Sequence, residues 1–335
     1  MLLIIMEKNL NNTTIIDQVD VPALISIPLG LIGFLLNITI LGIFNSSQRL
    51  KDPMYVLIGN VLVGDCLSSL QLVALGSAPF YLSNVTMQVA DIFCKILIYT
   101  LYSTYNLSVF SLTAISIYRF KSTSQVTTMR STKSRLRYAY RAITITWALS
   151  WILSFPVIFL VNSNPYTFGS CDIVYILNKE YLSLIYFVSA TTVTYVIPLL
   201  IMLFNYGSII RQLLYHVNPC CNSNSSKELE SQQQISVIKL LLTVTATFMI
   251  FTCPFFIAVD FLASYRKTFY QLSIENHSIY LLCFFALPMT TFVSILNPTL
   301  YIACDKFIRN EIKRILYQFF CYFNGERYDN TVIPF

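Results

Sequence analysis

A few polar side chains sit where the chain is otherwise apolar, and their types define the chemistry on offer. Asp65 lies among aliphatic residues in 57-LIGNVLVGDCLSSL-70, Asn37 in GFLLN, Ser108 in a third apolar run, and Ser294 and Asn297 in 294-SILNPTLY-301. A charged group at the centre of a membrane helix costs about 3 kcal/mol on insertion scales, so its presence marks a function. A carboxylate with hydroxyl and amide oxygens nearby accepts a small hard cation, or is satisfied by a water network. The alternative is bonding between helices; that reading suits Asn37, whereas Asp65 reads as a cation or proton site. Asn297 stands beside Pro298, which removes a helix hydrogen bond and frees a carbonyl that a polar neighbour or water must take up. Pro198 and Pro254 interrupt two further runs, and three such breaks point to a bundle with more than one stable arrangement. Arg119, in 115-ISIYRFK-121, closes the third run; it either snorkels to an interface or makes a contact used in switching.

Other chemistries are poorly served. There is no nucleophile–base constellation, and the two histidines, His216 and His277, read as loop residues. No Cys/His spacing resembles a zinc site. Of nine cysteines, Cys66, Cys253 and Cys283 read as packing residues inside helices. Cys94, at the outer end of the third run, and Cys171, in the following outside loop, face an oxidising compartment and can bridge; two unrelated thiols are the alternative. Cys321, after the basic and apolar stretch 306-KFIRNEIKRILYQFF-320, is a palmitoylation candidate, and Cys220 and Cys221 have a weaker claim.

The elements that must hold these residues are read from composition. The chain has 335 residues, 56% hydrophobic and 11% charged, against about 25% charged in soluble domains. Seven apolar runs, roughly 22–45, 53–78, 92–119, 140–161, 181–210, 235–263 and 278–302, each approach the span a bilayer requires of a helix. The fold class is therefore an all-α membrane protein, a seven-transmembrane helix bundle in one domain, 22–303, between an N-terminus, 1–21, and a tail, 304–335. A barrel is excluded by run length. The longest connection, around 211–234, reads as a flexible loop.

Seventeen of the 22 Lys and Arg fall on one side of this bundle, seven of them in 119–141, so that side is expected to be cytoplasmic, with the N-terminus outside. The net charge of +6 reflects that bias and does not indicate nucleic acid. The opening MLLIIMEK is too short for a signal peptide, so the first helix is expected to direct insertion. Asn11, Asn12, Asn84 and Asn276 head glycosylation triplets in outside segments.

Together these residues resemble the rhodopsin-like (class A) G protein-coupled receptors over about residues 22–320. Asn37 matches the family's helix-one Asn, Asn60 and Asp65 its helix-two NLxxxD pattern, and Cys94 and Cys171 its disulfide. Arg119 matches the arginine of DRY. Trp147 and Pro156 match helix four, Pro198 and Tyr206 helix five, Phe248 and Pro254 helix six. Asn297, Pro298 and Tyr301 complete NPxxY, and Asp305 to Gln318 resembles the short amphipathic eighth helix, with Phe307 as its aromatic anchor. The resemblance implies a sodium ion or waters among Asp65, Ser108, Ser294 and Asn297. It implies a switch through Arg119, Tyr206, Phe248, Thr252, Pro254, Pro298 and Tyr301, with Tyr301 swinging toward Tyr206 and Arg119. It also implies a heterotrimeric G protein as partner, arrestin as a second, the lipid bilayer as solvent and the plasma membrane as location. Three departures stand out. Tyr118 replaces the acidic residue of DRY, Gln234 stands where many members place an acidic partner, and Thr252 replaces the helix-six tryptophan. Elevated basal signalling, or an activation path centred on Phe248, is the expectation.

Leu101 occupies the position of the aminergic Asp, and Thr291 that of the retinal-binding lysine, so neither ligand class fits. Tyr99, Tyr102, Tyr105, Phe255, Phe256, Phe285 and Pro288 offer an aromatic cavity, with Asp260 near its rim. A peptide, an odorant or a lipid suits such a cavity; interfacial belt residues are the plainer reading of the tyrosines. The rivals to a signalling receptor are a seven-helix binding protein that does not signal and a transporter. The latter would be expected to show two related halves with matching broken helices.

Overall fold

The computed structural model describes residues 21–46, 52–82, 85–123, 131–163, 171–173, 180–216, 225–265, 271–272 and 275–323. In chain order the spans are α1 (Val21–Ser46), α2 (Pro53–Leu82), α3 (Met87–Thr123) and α4 (Thr132–Ser154), the last running into a 3₁₀ turn, Phe155–Phe159. A two-stranded antiparallel hairpin follows, β1 (Val161–Ser163) with β2 (Cys171–Ile173). The fifth span, α5, comprises Glu180–Thr191, one π-helical turn at Thr192–Val196, and Ile197–His216. Then come α6 (Ser225–Tyr265), α7 (His277–Cys304) and α8 (Lys306–Phe323). The seven-helix reading holds. With no water to take up backbone groups, helices are the economical way for apolar runs to span lipid.

Local chemistry sets the ends. Pro53 opens α2 where a missing N–H costs nothing, and Asp52 Oδ1 accepts from Met54 N at 2.9 Å. Ser131 caps α4, its side chain accepting from Ser134 N at 3.2 Å. Asn276 caps α7 by accepting from Ile279 N at 3.2 Å. Asp305 caps α8 by accepting from Ile308 N at 3.2 Å. The π-turn has a cause in Pro198, whose ring would crowd the carbonyl of Thr194 in a regular helix. Widening by one residue lets Ile197 N–H reach Thr192 O instead.

Two expectations are corrected. Residues 225–234, read as loop, extend α6; Lys, Glu and Gln dominate there and are good helix formers. The two histidines lie in helix termini, His216 ending α5 and His277 opening α7.

Five helices, among the described residues, are long and apolar enough to cross a membrane: Ser26–Ser46, Pro53–Ala78, Thr132–Phe159, Tyr181–Gln212 and Ile238–Tyr265. In α7 the described apolar stretch is shorter, Phe292–Cys304. The third span stands apart because α3 is surrounded by its neighbours. It buries Ser103, Thr104, Asn106, Ser108, Ser111 and Ser116 along its middle, and large exposed apolar residues, among them Val89, Ile92 and Ile96, lie near its start.

Lipid tails are as apolar as leucine, so helix association depends on close packing and polar bonds. The α1–α2 seam shows the first. A Cβ on Gly30 would sit 2.6 Å from Val73 Cγ2 and 2.7 Å from Ser69 O. One on Gly76 would lie 2.8 Å from Ser26 Cβ. The second appears as bridges from Asn60 Nδ2 to Ser111 Oγ (2.7 Å), Asn106 Nδ2 to Ser154 Oγ (3.0 Å) and Asn205 Nδ2 to Ser116 Oγ (3.0 Å). The largest apolar core, including Ile58, Leu62, Leu112, Ile115, Ile209 and Leu241, fills the half of the bundle nearer Arg119.

Candidate functional site

Asp65 is 2% exposed and meets α7 directly: Asn297 Nδ2 donates to Asp65 Oδ2 at 2.9 Å. The Ser294 hydroxyl also faces this carboxylate. One turn away, Asn37 Nδ2 donates to Ser294 O at 2.7 Å and to Gly33 O at 2.8 Å, tying α1 to the stretch of α7 before Pro298. This is the bonding role expected for Asn37. Ser108 lies beside the group, since a Cβ on the neighbouring Gly64 would be 3.3 Å from Ser108 Oγ, and its hydroxyl donates to Thr104 O at 3.3 Å. Asn297 Oδ1 is buried without a partner among the described residues, and no Lys or Arg there pairs with Asp65. Asp65, Ser294 and Asn297 are thus brought together, with Ser108 against the neighbouring Gly64. Asn60 makes a separate bridge, accepting at Oδ1 from Trp147 Nε1 at 2.8 Å while its Nδ2 donates to Ser111 Oγ.

At the far end of α3, Arg119 meets the start of α2, one terminal guanidinium nitrogen contacting Met54 Sδ. Among the described residues no carboxylate forms an ion pair with it. Tyr118, standing where an acid was expected, is buried and stacks on Tyr138 of α4 with centroids 6.0 Å apart. The substitution therefore serves α3–α4 packing. The residue after Met54 binds elsewhere: Tyr55 donates to Asp305 Oδ2 at 3.1 Å, linking α2 to the α7–α8 junction. Neither contact was legible from the motifs. Tyr206 and Thr245 share a hydrogen bond at 3.2 Å, and Tyr301 is fully buried with its hydroxyl unpartnered among the described residues. Ile308 is fully buried at the base of α8; the side chain of Phe307, the expected anchor, lies outside the described residues, as does that of Gln234.

Between these ends runs a column of rings. Tyr105 lies 5.9 Å from Phe248, 5.4 Å from Phe255 and 5.5 Å from Phe256 by ring centroids. Tyr195 lies 4.7 Å from Phe256 and donates to Met249 O at 2.8 Å, fastening the π-turn of α5 to α6. Thr252 is fully buried, bonds to Met249 O of its own helix at 3.3 Å, and faces Tyr105. A tryptophan at 252 would meet the Tyr105 side chain, whose hydroxyl end faces this position. Tyr102 packs on Phe255 at 5.9 Å, and its hydroxyl is buried without a partner among the described residues. Tyr99 is placed differently, against α4, with its ring 5.2 Å from Trp151 and its hydroxyl on Trp151 O at 3.3 Å. Thr191 donates to Asp260 Oδ1 at 3.0 Å, so the carboxylate already serves an α5–α6 bond. Leu101 is half-buried on α3; the side chains of Phe285, Pro288 and Thr291 lie outside the described residues.

The hairpin closes the end opposite Arg119. Cys94 and Cys171 form a disulfide with Cα atoms 5.3 Å apart. Asp91, nearly a turn earlier on α3, accepts at Oδ1 from Ser163 N at 2.6 Å, and Ser163 is the register partner of Cys171. Of the glycosylation candidates, Asn11, Asn12 and Asn84 lie outside the described residues; Asn276 is exposed. The Cys321 side chain also lies outside the described residues.

Comparison with known proteins agrees with this arrangement. Residues 36–301 match the family described as 7 transmembrane receptor (rhodopsin family). The chain is 27% identical over 239 residues to "Rhodopsin, GQ-coupled" of Mizuhopecten yessoensis, covering 68% of this chain and 47% of that one. It is 22% identical over 326 residues to "Neuropeptide Y receptor type 6" of Oryctolagus cuniculus, 91% and 82% of the two chains. It is 28% identical over 225 residues to the "Cholecystokinin receptor" of Xenopus laevis, 61% and 48%. The chain thus spans about half the length of the scallop and Xenopus relatives. It belongs to the rhodopsin family of seven-transmembrane receptors, which are multi-pass membrane proteins.

Proposed function

We propose that this chain is a plasma-membrane receptor that binds a peptide at its disulfide end and activates a heterotrimeric G protein at its Arg119 end. The N-terminus would lie outside and the C-terminus inside, as the Lys and Arg bias predicts. The observation that carries the reading is the Asn297–Asp65 bond, which fastens the proline-broken α7 to α2 midway between the two ends. A ligand that favours a different α7 position must act against that bond, and so can be felt at Arg119. The peptide class is supported by relatives named as receptors for neuropeptide Y, cholecystokinin and bombesin, and by the hairpin roof. An odorant or lipid remains the second ligand class that the aromatic column suits.

Oxygen donors at Asp65, Ser108, Ser294 and Asn297 fit a sodium ion, since the carboxylate has no cationic neighbour and Asn297 Oδ1 has no partner among the described residues. Such an ion would neutralise the buried charge and hold α2, α3 and α7 in one arrangement. Glycans at Asn11, Asn12, Asn84 and Asn276, palmitoylation at Cys321 and recruitment of arrestin belong to the same reading.

A binding protein that does not signal is the second reading, favoured by Tyr118 and Thr252 standing in the switch. The deciding experiment is nucleotide exchange on each G protein class in membranes carrying the chain, beside Arg119→Ala at equal surface level. Exchange above background that Arg119→Ala abolishes supports the receptor. No exchange from any class, with or without a peptide that demonstrably binds, supports the silent binder.

A further inference from the structure

We infer that Tyr55 and Asp305 form a latch that holds the Tyr301 end of α7 in its resting position, from α2, in a chain whose α3 has no acid next to Arg119. The bond runs from the Tyr55 hydroxyl to Asp305 Oδ2 at 3.1 Å. Other contacts fix both of its ends. The Tyr55 ring stands edge-on to Phe44 of α1, with centroids 5.6 Å apart. Asp305 is 7% exposed, and its other oxygen, Oδ1, accepts from Ile308 N at 3.2 Å as the cap of α8. Capping α8 needs only that one carboxylate oxygen. The second is committed to a different helix, and an ionised acceptor makes that bond stronger than one between neutral groups.

The main chain joins the latch to Tyr301. Asp305 N donates to Tyr301 O at 3.0 Å, and Arg309 N donates to Asp305 O at 3.1 Å. A rotation of Tyr301 therefore carries Asp305 with it and pulls on the Tyr55 bond. Tyr301 has a bond to gain by rotating, since its buried hydroxyl is unpartnered among the described residues. On the other side, Met54 and Tyr55 are consecutive on α2, about 100° apart around its axis. One reaches Arg119 of α3 while the other reaches Asp305. Asp52 and Tyr55 also act electrostatically on the Arg119 guanidinium. The first turn of α2 is thus a common anchor for Arg119 and for the α7–α8 junction. A residue needed only for packing would keep its ring on Phe44 and have no use for the hydroxyl; the latch requires the hydroxyl.

That opening the latch reaches a G protein rests on the function proposed above; the latch itself does not. The test uses the full chain in nanodiscs, with Tyr55→Phe and Asp305→Ser made singly and together. Tyr55→Phe keeps the ring and removes only the hydroxyl. Serine caps a helix about as well as aspartate but is too short to reach Tyr55. Hydrogen exchange of the amides of residues 299–309, read by mass spectrometry, should quicken about tenfold in each single variant and no further in the double, because one bond is lost in every case. Exchange in Tyr55→Phe equal to wild type overturns the latch, and so does additive quickening in the double. Ligand-free nucleotide exchange on G proteins in the same nanodiscs should rise about tenfold in Tyr55→Phe, whereas damage to the fold would lower it. If wild type couples and Tyr55→Phe exchanges nucleotide at or below its level, the bond is only structural and the proposal is overturned. If neither couples to any G protein class but the amides quicken as expected, the latch stands and the receptor function proposed above is what fails.

Discussion

Asn297 and Asp65 are 232 residues apart in sequence and share one hydrogen bond of 2.9 Å in the middle of the bundle. The bond uses one carboxylate oxygen and the amide nitrogen, and leaves Asn297 Oδ1 buried without a partner among the described residues. The site is thus held together and still short of ligands for its oxygens, which is the condition in which a small cation stabilises a fold.

Wild-type receptor in detergent should melt higher in sodium than in potassium at equal ionic strength. Asp65→Asn should abolish the difference while keeping the shape of the site. One to two kcal/mol of linkage corresponds to roughly 1.5–3 °C for a chain of this size. Thermal unfolding in the two salts measures it, and equal melting points for wild type would remove sodium from the site.

Asp91 should act as a second fastener of the hairpin. Its bond to Ser163 N holds β1 at the residue facing Cys171, while the disulfide holds β2 at Cys171 itself. Asp91→Ala leaves a buried N–H without its acceptor, worth about 1–3 kcal/mol. With the disulfide reduced, the loss should grow, because what then ties the hairpin to α3 is the weak Ser163 Oγ–Met87 Sδ contact at 3.4 Å and the apolar packing of Val161. Melting curves with and without reductant check this; an effect of Asp91→Ala that is the same in both would show that the two fasteners act independently.

How much of this was legible depended on whether a residue's partner is local. Asp65 and Asn297 each stood out because they are polar in apolar surroundings, and the family resemblance implied that they meet. Arg119 on Met54 was not, because Met54 is an ordinary apolar residue whose register against α3 only packing decides. The aromatic set shows the same limit. Tyr99, Tyr102 and Tyr105 recur every third residue, but a helix turns 100° per residue, so each step of three drifts by about 60°. Across two steps that drift puts Tyr99 against Trp151 of α4 while Tyr105 meets α6. The α6 extension to Ser225 was missed because its polar composition reads equally as loop or as solvated helix.

Gly30 and Gly42 on α1 make a paired test of the α1–α2 seam. A Cβ on Gly30 meets Val73 Cγ2 and the Ser69 carbonyl inside 3.0 Å, and the carbonyl cannot move away alone; a Cβ on Gly42 meets nothing within 4 Å. Gly30→Ala should cost about 1–3 kcal/mol by forcing the helices apart. Gly42→Ala should be neutral, or slightly stabilising by up to about 1 kcal/mol from helix propensity. Melting temperature and folded yield separate the two, and equal behaviour would mean that the seam is loosely packed.

Thr252 and Tyr105 should be energetically coupled. Thr252 is fully buried facing Tyr105, whose ring also packs on Phe248, Phe255 and Phe256. Restoring a tryptophan by Thr252→Trp adds an indole at the position that the hydroxyl end of Tyr105 faces, and overpacking of this kind costs about 1–3 kcal/mol. Tyr105→Ala alone opens a cavity and costs about 3–5 kcal/mol. If the two side chains compete for one volume, the double variant should be more stable than the sum of the single losses by at least about 1 kcal/mol. Because Phe248 lies under the same ring, basal nucleotide exchange should change in each single variant and return toward wild type in the double. Strictly additive melting shifts would show that the tryptophan finds room elsewhere, and that Tyr105 is not what fills the place at the centre of α6.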